Sequence, residues 1–192
     1  MKVYLEITIK PQPEIPLYFL WEKVYQQIHL ALVEMQDENG TVTIGVSFPE
    51  YDACQFQIGC KLRLLAEEKV ELEKLAVDKW LSRLCDYVHV KPIVPVHEKI
   101  AGHVCFRHVK MKGSKEKFAR RRAKRKGETL QQALSHFENF EEQRSKLPYI
   151  NMTSQTNGQR FRLFIEKQVM EQPQIGSFSC YGLSNTTTVP LF

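Results

Sequence analysis

The hydrophobic pattern changes its period within the first 35 residues, and this change constrains the fold of the chain more than any other feature. Val3, Leu5, Ile7 and Ile9 alternate with their neighbours, which is typical of a strand that is buried on one face. From about residue 16 to residue 35, apolar residues recur every three or four positions and predict an amphipathic helix. The chain is therefore expected to begin with a half-buried strand followed by an amphipathic helix.

Further patterned segments extend this beginning. Strands are expected at residues 42–48, 60–65 and 87–96, and a helix is expected at residues 66–75. The resulting order β-α-β-β-α-β over residues 1–97 is that of the ferredoxin-like fold, which serves many functions. We therefore predict an α+β protein with an N-terminal ferredoxin-like domain.

Residues 98–192 differ in composition from the first part of the chain and are expected to form a second region with α/β structure. The expected elements are a short extended segment at 103–111, a basic helix at about 115–126, a polar helix at about 128–145, and strands at 159–166 and 178–183.

The positive charge of the chain is concentrated in one segment. Residues 107–126 contain eleven Lys or Arg and one acid, Glu116, so the segment carries a charge of +10. All other residues together carry −5, which gives the total of +5. A charged run is usually a solvated helix face, but a run of almost one sign over a whole helix favours a polyanionic partner such as a nucleic acid.

Several features favour a cytoplasmic protein. No segment reaches the roughly 18 consecutive apolar residues of a membrane span. The N-terminus is interrupted by Glu6 and is more typical of a strand than of a secretory leader. The five Cys are odd in number and form no Cys-x-x-Cys pair, which favours reduced thiols and argues against structural zinc.

No motif for a metal or a cofactor occurs in the chain. The six His form no i, i+4 pair, the acids form no cluster of the two-metal type, and no phosphate-binding glycine loop is present. We therefore predict neither metal nor cofactor. His29, the polar segment 153–158 and the segment 180–184 remain as candidates for chemistry. Taken singly, His29 is more typical of a histidine at the core boundary, the polar segment of a turn, and the segment 180–184 of a core strand.

Three segments together resemble one known family. They are IGVSFPEY at 44–51, SQTNGQRFRLFI at 154–165 and FSCYGLSNTTTVPLF at 178–192. With His29 in the first helix and the basic helix between them, the chain resembles the endoribonucleases that process CRISPR RNA in type I-F systems, the Cas6/Csy4 family. The resemblance covers essentially the full length.

The resemblance implies an activity and roles for three residues. The family cleaves the repeat of a precursor CRISPR RNA 3′ of a stem-loop without a metal, using a ribose 2′-OH as the nucleophile. By this resemblance His29 is the general base, Ser154 holds the same hydroxyl and Tyr181 positions His29. The products would be a 2′,3′-cyclic phosphate and a 5′-hydroxyl. The enzyme, a monomer on its RNA, would retain the hairpin as a subunit of the guide-RNA surveillance complex.

The resemblance also implies where RNA binds. The basic helix would enter the major groove of the hairpin, and Phe161 would stack on the base pair at the foot of the stem. Two positions that read bases in the family, an Arg and a Gln, are here His108 and Lys110, so the preferred stem is expected to differ. Thr156 stands where the family pattern has Ser. The expected RNA-binding residues are His108, Lys110, Lys112, Lys117, Arg120, Arg121, Lys124, Arg125, Gln155, Thr156 and Phe161.

Two other functions remain open. A subunit that binds the RNA hairpin without cleaving it would need the basic helix and Phe161 but not His29 and Ser154 together. A general DNA-binding or ribosome-associated module would have no need of the C-terminal segment 178–192. The combination of these features favours the enzyme.

Overall fold

The computed structural model describes residues 1–55, 57–97, 99–111, 115–137 and 145–192. The chain has mixed α/β structure and divides into two compact units, residues 1–109 with 147–192, and residues 110–146. The larger unit contains β1 (Val3–Ile9), α1 (Leu17–Glu34), β2 (Thr41–Val42), β3 (Gly45–Ser47), β4 (Lys61–Ala66), α2 (Lys69–Leu75), α3 (Val77–Trp80), a 3-10 turn (Ser82–Leu84), β5 (Val88–Val90), β6 (Val94–Pro95), β7 (Gly102–Val109), β8 (Tyr149–Thr153), β9 (Arg160–Met170), β10 (Phe178–Ser179) and β11 (Val189–Leu191). The smaller unit contains α4 (Lys115–Lys126) and α5 (Leu130–Ser135).

This division differs from the boundary predicted at residue 97. Strand β7 pairs with β9 along seven successive residues and also pairs with β11 near the C-terminus. These ladders join the chain after residue 97 to the larger unit. The composition changes at residue 97, whereas the contacts between elements change at residue 110.

The first sheet has the order β3-β4-β1-β5, and β6 pairs with the start of β1. All its ladders are antiparallel. Leu5, Ile7 and Ile9 are buried on one face, as the alternation predicted, and Val24 and Ile28 of α1 are buried in the same core. The strand predicted at 3–9 and the helix predicted at 16–35 are confirmed as β1 and α1.

The second four-stranded sheet has the order β11-β7-β9-β8. Strand β9 is longer than the strand predicted at 159–166, and β8 and β11 were not predicted. The predicted strand 178–183 is largely wrong, because only Phe178 and Ser179 pair, with β2, before the chain turns. The predicted strand 42–48 is divided between β2 and β3, which pair with different partners.

A tight turn at residues 179–182 fixes the segment that follows β10. The backbone N–H of Gly182 donates to Ser179 O, and the N–H of Val46 donates to Gly182 O at 2.9 Å. Gly182 has a φ of 67°, and a Cβ there would lie 2.3 Å from Val46 Cγ2. Glycine is therefore required both by the left-handed backbone and by the close approach to β3.

The C-terminal residue lies on the other face of the first sheet. Arg63 donates to Phe192 O at 2.6 Å and its guanidinium lies 4.3 Å from the centre of the Phe192 ring. The same arginine binds the buried carboxylate of Glu6, which also accepts from Lys91. Burial alone would raise the pKa of Glu6, but these two hydrogen bonds outweigh it and the pKa is lowered.

The smaller unit is a helical hairpin. Gly127, with a φ of 70°, follows α4, and Thr129 begins α5 in a capping box with Gln132. The rings of Phe118 and Phe137 stack at 6.2 Å between their centres. Helix α5 is shorter than the predicted helix 128–145, whose residues 138–144 lie outside the described residues. No helix in the described part of the chain is long and apolar enough to cross a membrane.

The turn at Gly182 predicts a graded loss of stability. Gly158→Ala introduces a side chain at a similar φ of 66°, where no atom lies within 4 Å. Only the left-handed backbone then opposes the side chain, and the substitution should cost about 1 kcal/mol of unfolding free energy. Gly182→Ala adds the overlap with Val46 and should cost roughly 2–4 kcal/mol. Urea denaturation of the two variants measures both values. Equal losses would show that the contact with β3 is not tight.

Candidate active site

The side chain of His29 is oriented by a backbone carbonyl. It lies near the C-terminal end of α1, half-buried, with Nδ1 at 2.9 Å from Cys180 O. A carbonyl oxygen only accepts hydrogen bonds, so Nδ1 carries the proton of the neutral ring. Nε2 is then left with a lone pair and can accept a proton from another group.

The ring of Tyr181 covers the imidazole of His29. The two rings are stacked with their centres 4.3 Å apart and an angle of 11° between their planes. The ring of His108, on β7, meets Tyr181 edge-on at 6.0 Å between centres. The structure thus brings together two of the three predicted catalytic residues, His29 and Tyr181, and places the predicted RNA-binding residue His108 beside them.

Tyr25 completes this arrangement and was not predicted from the sequence. It is one helical turn before His29, is almost fully buried, and donates from its hydroxyl to Tyr181 O at 2.8 Å. Two side chains of α1 therefore hold two successive carbonyls, those of Cys180 and Tyr181. The i, i+4 spacing of Tyr25 and His29 places them on one helix face, and this is the sequence signal that could have found the pair.

Burial sets the protonation state of these groups. It lowers the pKa of His29 below its usual range, and the hydrogen bond to Cys180 O offsets only part of this effect. Burial raises the pKa of Tyr181. At neutral pH the imidazole of His29 is therefore mostly neutral, as a general base must be, and the phenol of Tyr181 keeps its proton.

Ser154 lies on the loop between β8 and β9, and α1 holds both ends of this loop. At one end, the N–H of Thr153 donates to the side-chain oxygen of Gln26 at 3.1 Å. At the other end, Arg160 donates to both carboxylate oxygens of Glu22 at 3.1 and 2.9 Å. Burial would raise the pKa of Glu22, but Lys23 and Arg160 outweigh it and the pKa is lowered. These anchors were not predicted from the sequence, because no local pattern pairs residues as far apart as Gln26 and Thr153 or Glu22 and Arg160.

The loop itself is a compact turn. Ser154 donates its N–H to Gln159 O at 2.9 Å and accepts from the N–H of Gly158 at 2.8 Å. Gln155 and Thr156 are exposed at its tip. Among the hydrogen bonds of the described residues there is none between Ser154 and His29.

Phe161 is half-buried near the start of β9, opposite Met152 of β8. Its ring packs partly on the core and partly lines an open cleft with Tyr18 and Phe19 of α1. This position is compatible with the stacking on an RNA base pair that the resemblance implies for Phe161.

Helix α4 of the smaller unit presents its cations to solvent on one side. Ala119 is buried, the ring of Phe118 stacks on that of Phe137, and Arg122 on the same side of the helix binds Glu128 at 3.0 Å. The charge of Arg122 is therefore balanced within the smaller unit. The exposed cations of the predicted set are Lys110, Lys117, Arg120, Arg121, Lys124 and Arg125, whereas Lys112 lies outside the described residues.

No candidate metal site emerges from the described residues, which contain no group of three or more His, Cys, Asp or Glu that could hold an ion. All five cysteines are free thiols.

Comparison with known proteins gives a consistent result. The family model described as CRISPR-associated protein (Cas_Csy4) matches residues 4–192. The chain is 35% identical to the CRISPR-associated endonuclease Cas6/Csy4 of Escherichia coli (strain UTI89 / UPEC) and 32% identical to that of Pseudomonas aeruginosa (strain UCBPP-PA14), with all of each chain covered. A solved structure from the characterization of a Cas6-related gene from Pyrococcus furiosus is similar over 100% of this chain and 99% of its own, at 13% identity and a TM-score of 0.37. On the family match and the two full-length relatives, the chain belongs to the CRISPR-associated Cas_Csy4 family.

Proposed function

We propose that the protein is an endoribonuclease that cleaves CRISPR repeat RNA 3′ of a stem-loop. Its membership of the family and the name of its relatives, CRISPR-associated endonuclease, support this assignment. The observation that carries the mechanism is the hydrogen bond between His29 Nδ1 and Cys180 O, which leaves Nε2 as a proton acceptor on a half-buried ring.

The reaction needs a base and no external nucleophile. His29 Nε2 takes the proton of the ribose 2′-OH, and the 2′-oxygen attacks the adjacent phosphorus. The bond from phosphorus to the 5′-oxygen breaks, and this oxygen takes a proton from solvent. The upstream fragment ends in a 2′,3′-cyclic phosphate and the downstream fragment begins with a 5′-hydroxyl. No metal-bound hydroxide is required, because the base and the nucleophile are already present.

Ser154 and Tyr181 act on this step by position. Tyr181 stacks on His29 and restricts rotation of the imidazole, so that Nε2 keeps one direction. The hydroxyl of Ser154 would hold the ribose 2′-OH near its line of attack, and positioning of this kind can contribute several kcal/mol. Gln26 and Glu22 would help indirectly, because they hold the ends of the loop that carries Ser154.

RNA binding would use two kinds of contact. The exposed arginines and lysines of α4 would bind phosphates along the stem, since Arg forks match phosphate oxygens. Phe161 would stack on the base pair at the foot of the stem. The remaining proposed contacts would be made by His108, Lys110, Lys112, Gln155 and Thr156.

The larger unit and the fate of the product complete the proposal. The order β3-β4-β1-β5 with α1 and α2 supports the predicted ferredoxin-like arrangement. The stem belongs to the upstream fragment, so the contacts to the stem would persist after cleavage and the monomeric enzyme would release this product slowly. The enzyme would stay bound to the product in the cytoplasm, as a subunit of the type I-F guide-RNA surveillance complex.

The chemical step is tested with a stem-loop repeat RNA in EDTA. Cleavage should persist in EDTA, and a 2′-deoxy substitution at the cut site or His29→Ala should abolish it while hairpin binding is retained. His89→Ala, at an exposed histidine of β5, is the matched control and should cleave normally. Mass spectrometry of the fragments should show the cyclic phosphate. Binding without cleavage by the unmodified protein would instead favour the non-cleaving subunit.

The pKa of His29 predicts the pH dependence of cleavage. The base must be neutral, and burial lowers its pKa below the usual value of about 6.5. The single-turnover rate at subsaturating RNA, which reports the free enzyme, should therefore rise with pH, level off, and have its midpoint below about 6.5. A rate that keeps rising up to pH 8 would exclude neutral His29 as the base.

The exposed face of α4 predicts the salt dependence of binding. The triple variant Arg120→Ala, Arg121→Ala and Lys124→Ala should lower hairpin affinity and flatten the slope of log K against log salt by up to ~0.7–0.9 for each lost phosphate contact. Arg122→Ala is the matched control, because Glu128 already binds this arginine. It should leave the slope nearly unchanged. Equal slopes for the triple variant and the unmodified protein would mean that this face does not bind phosphate.

A further inference from the structure

An open cleft of aromatic and cationic side chains lies between the N-terminal half of α1 and the start of β9. Its volume is about 410 Å³, and it is lined by Tyr18, Phe19, Glu22, Asn151, Arg160, Phe161 and Arg162. Tyr18 is 65% exposed and Phe19 is 42% exposed, although both rings are large and could have been buried. Two adjacent exposed rings at the start of a helix offer flat surfaces to a ligand.

The cations around these rings give the cleft a positive charge. Lys23 lies 4.9 Å from the centre of the Phe19 ring, and Arg162 lies 4.7 Å from that of Tyr149, which is 40% exposed. Glu22 is the one acid of the lining, and both Lys23 and Arg160 bind it, so these three residues together keep one positive charge, to which Arg162 adds another. Exposed rings among arginines and lysines are the composition of sites that bind single-stranded nucleic acid, where bases stack and phosphates pair with cations.

The cleft continues the face of α1 that carries His29. Tyr18, Glu22, Gln26 and His29 follow each other at helical spacing on this face. At a rise of 1.5 Å per residue, Tyr18 lies roughly 16 Å along the helix from His29. Phe161, the residue assigned to the foot of the stem, lines the same cleft.

We propose that this cleft binds the unpaired RNA on the 5′ side of the hairpin, with bases stacked on Tyr18 and Phe19 and phosphates near Arg160 and Arg162. This inference rests on the proposed function. Two strands leave the base pair at the foot of the stem. The 3′ strand must run to His29 for cleavage, so the 5′ strand is the one available to the cleft at the other end of this face of α1.

The experiment compares the affinity of three RNAs for the full chain. They are the bare hairpin, the hairpin with a short unpaired 5′ extension, and the hairpin with a short unpaired 3′ extension, each with 2′-deoxyribose at the cut site. The 5′ extension should increase affinity about tenfold, the scale of one stacked base. The double variant Tyr18→Ala and Phe19→Ala should lose this gain, whereas Tyr18→Phe, which keeps the ring, should retain it.

A matched control and a spectroscopic signal separate stacking from a general effect. Val33→Ala changes an apolar residue of the same helix that is 39% exposed, and it should retain the gain from the 5′ extension. The fluorescence of 2-aminopurine in the extension should be quenched on binding to the unmodified protein, and the double variant should restore it.

Three results would overturn the inference. One is equal affinity for the bare and the 5′-extended hairpin, as expected if the cleft binds another protein instead. Another is a gain produced by the 3′ extension alone. The third is a gain that survives in the double variant. A fourth outcome, in which the unmodified protein binds no hairpin at all, would overturn the proposed function itself. It is distinguishable from the other three, because each of those requires that the protein binds the bare hairpin.

Discussion

The hydrogen bond between His29 and the Cys180 carbonyl is the interaction on which the candidate site depends. It fixes the tautomer of a ring that burial keeps neutral, and so determines which nitrogen can act as a base. Cys180 lies in the turn at 179–182, which is hydrogen-bonded to β3 and leaves no room for a side chain at position 182. Gly182 therefore helps to place the turn that orients His29, a residue distant in sequence.

Helix α1 connects the fold to the site because it serves three surfaces at once. Its apolar side, including Val24 and Ile28, is buried in the core that it shares with the first sheet. Tyr25 and His29 hold the carbonyls of the 179–182 turn, and Gln26 and Glu22 hold the loop that carries Ser154. A rigid helix keeps these anchors at fixed spacing. Two loops remote from each other in sequence are therefore positioned against one element.

The sequence was informative where hydrophobic periodicity is local. Strand β1, helix α1 and strand β4 lie where the patterns predicted them. Strands β8 and β11 and the turn at Gly182 were not predicted, because strand pairing and backbone hydrogen bonds leave no local pattern in the sequence. For the site, the residues His29, Ser154 and Tyr181 came from resemblance, and the roles assigned to them stay predictions. The i, i+4 spacing of Tyr25 and His29 was readable, but the pairing of Glu22 with Arg160 required the folded chain.

The cations of α4 illustrate how a sequence can be locally unfavourable and still be useful. Arg122 is paired with an acid, Glu128, whereas Arg120, Arg121, Lys124 and Arg125 lie exposed beside one another. Like charges at i, i+4 destabilise a helix, so this arrangement reduces the stability of the free hairpin of α4 and α5. The stacked Phe118 and Phe137 and the capping box at Thr129 oppose this loss from the other side of the helices. A bound phosphate backbone would screen the repulsion between these side chains. The stability that the free helix loses to this repulsion would then be recovered only in the complex.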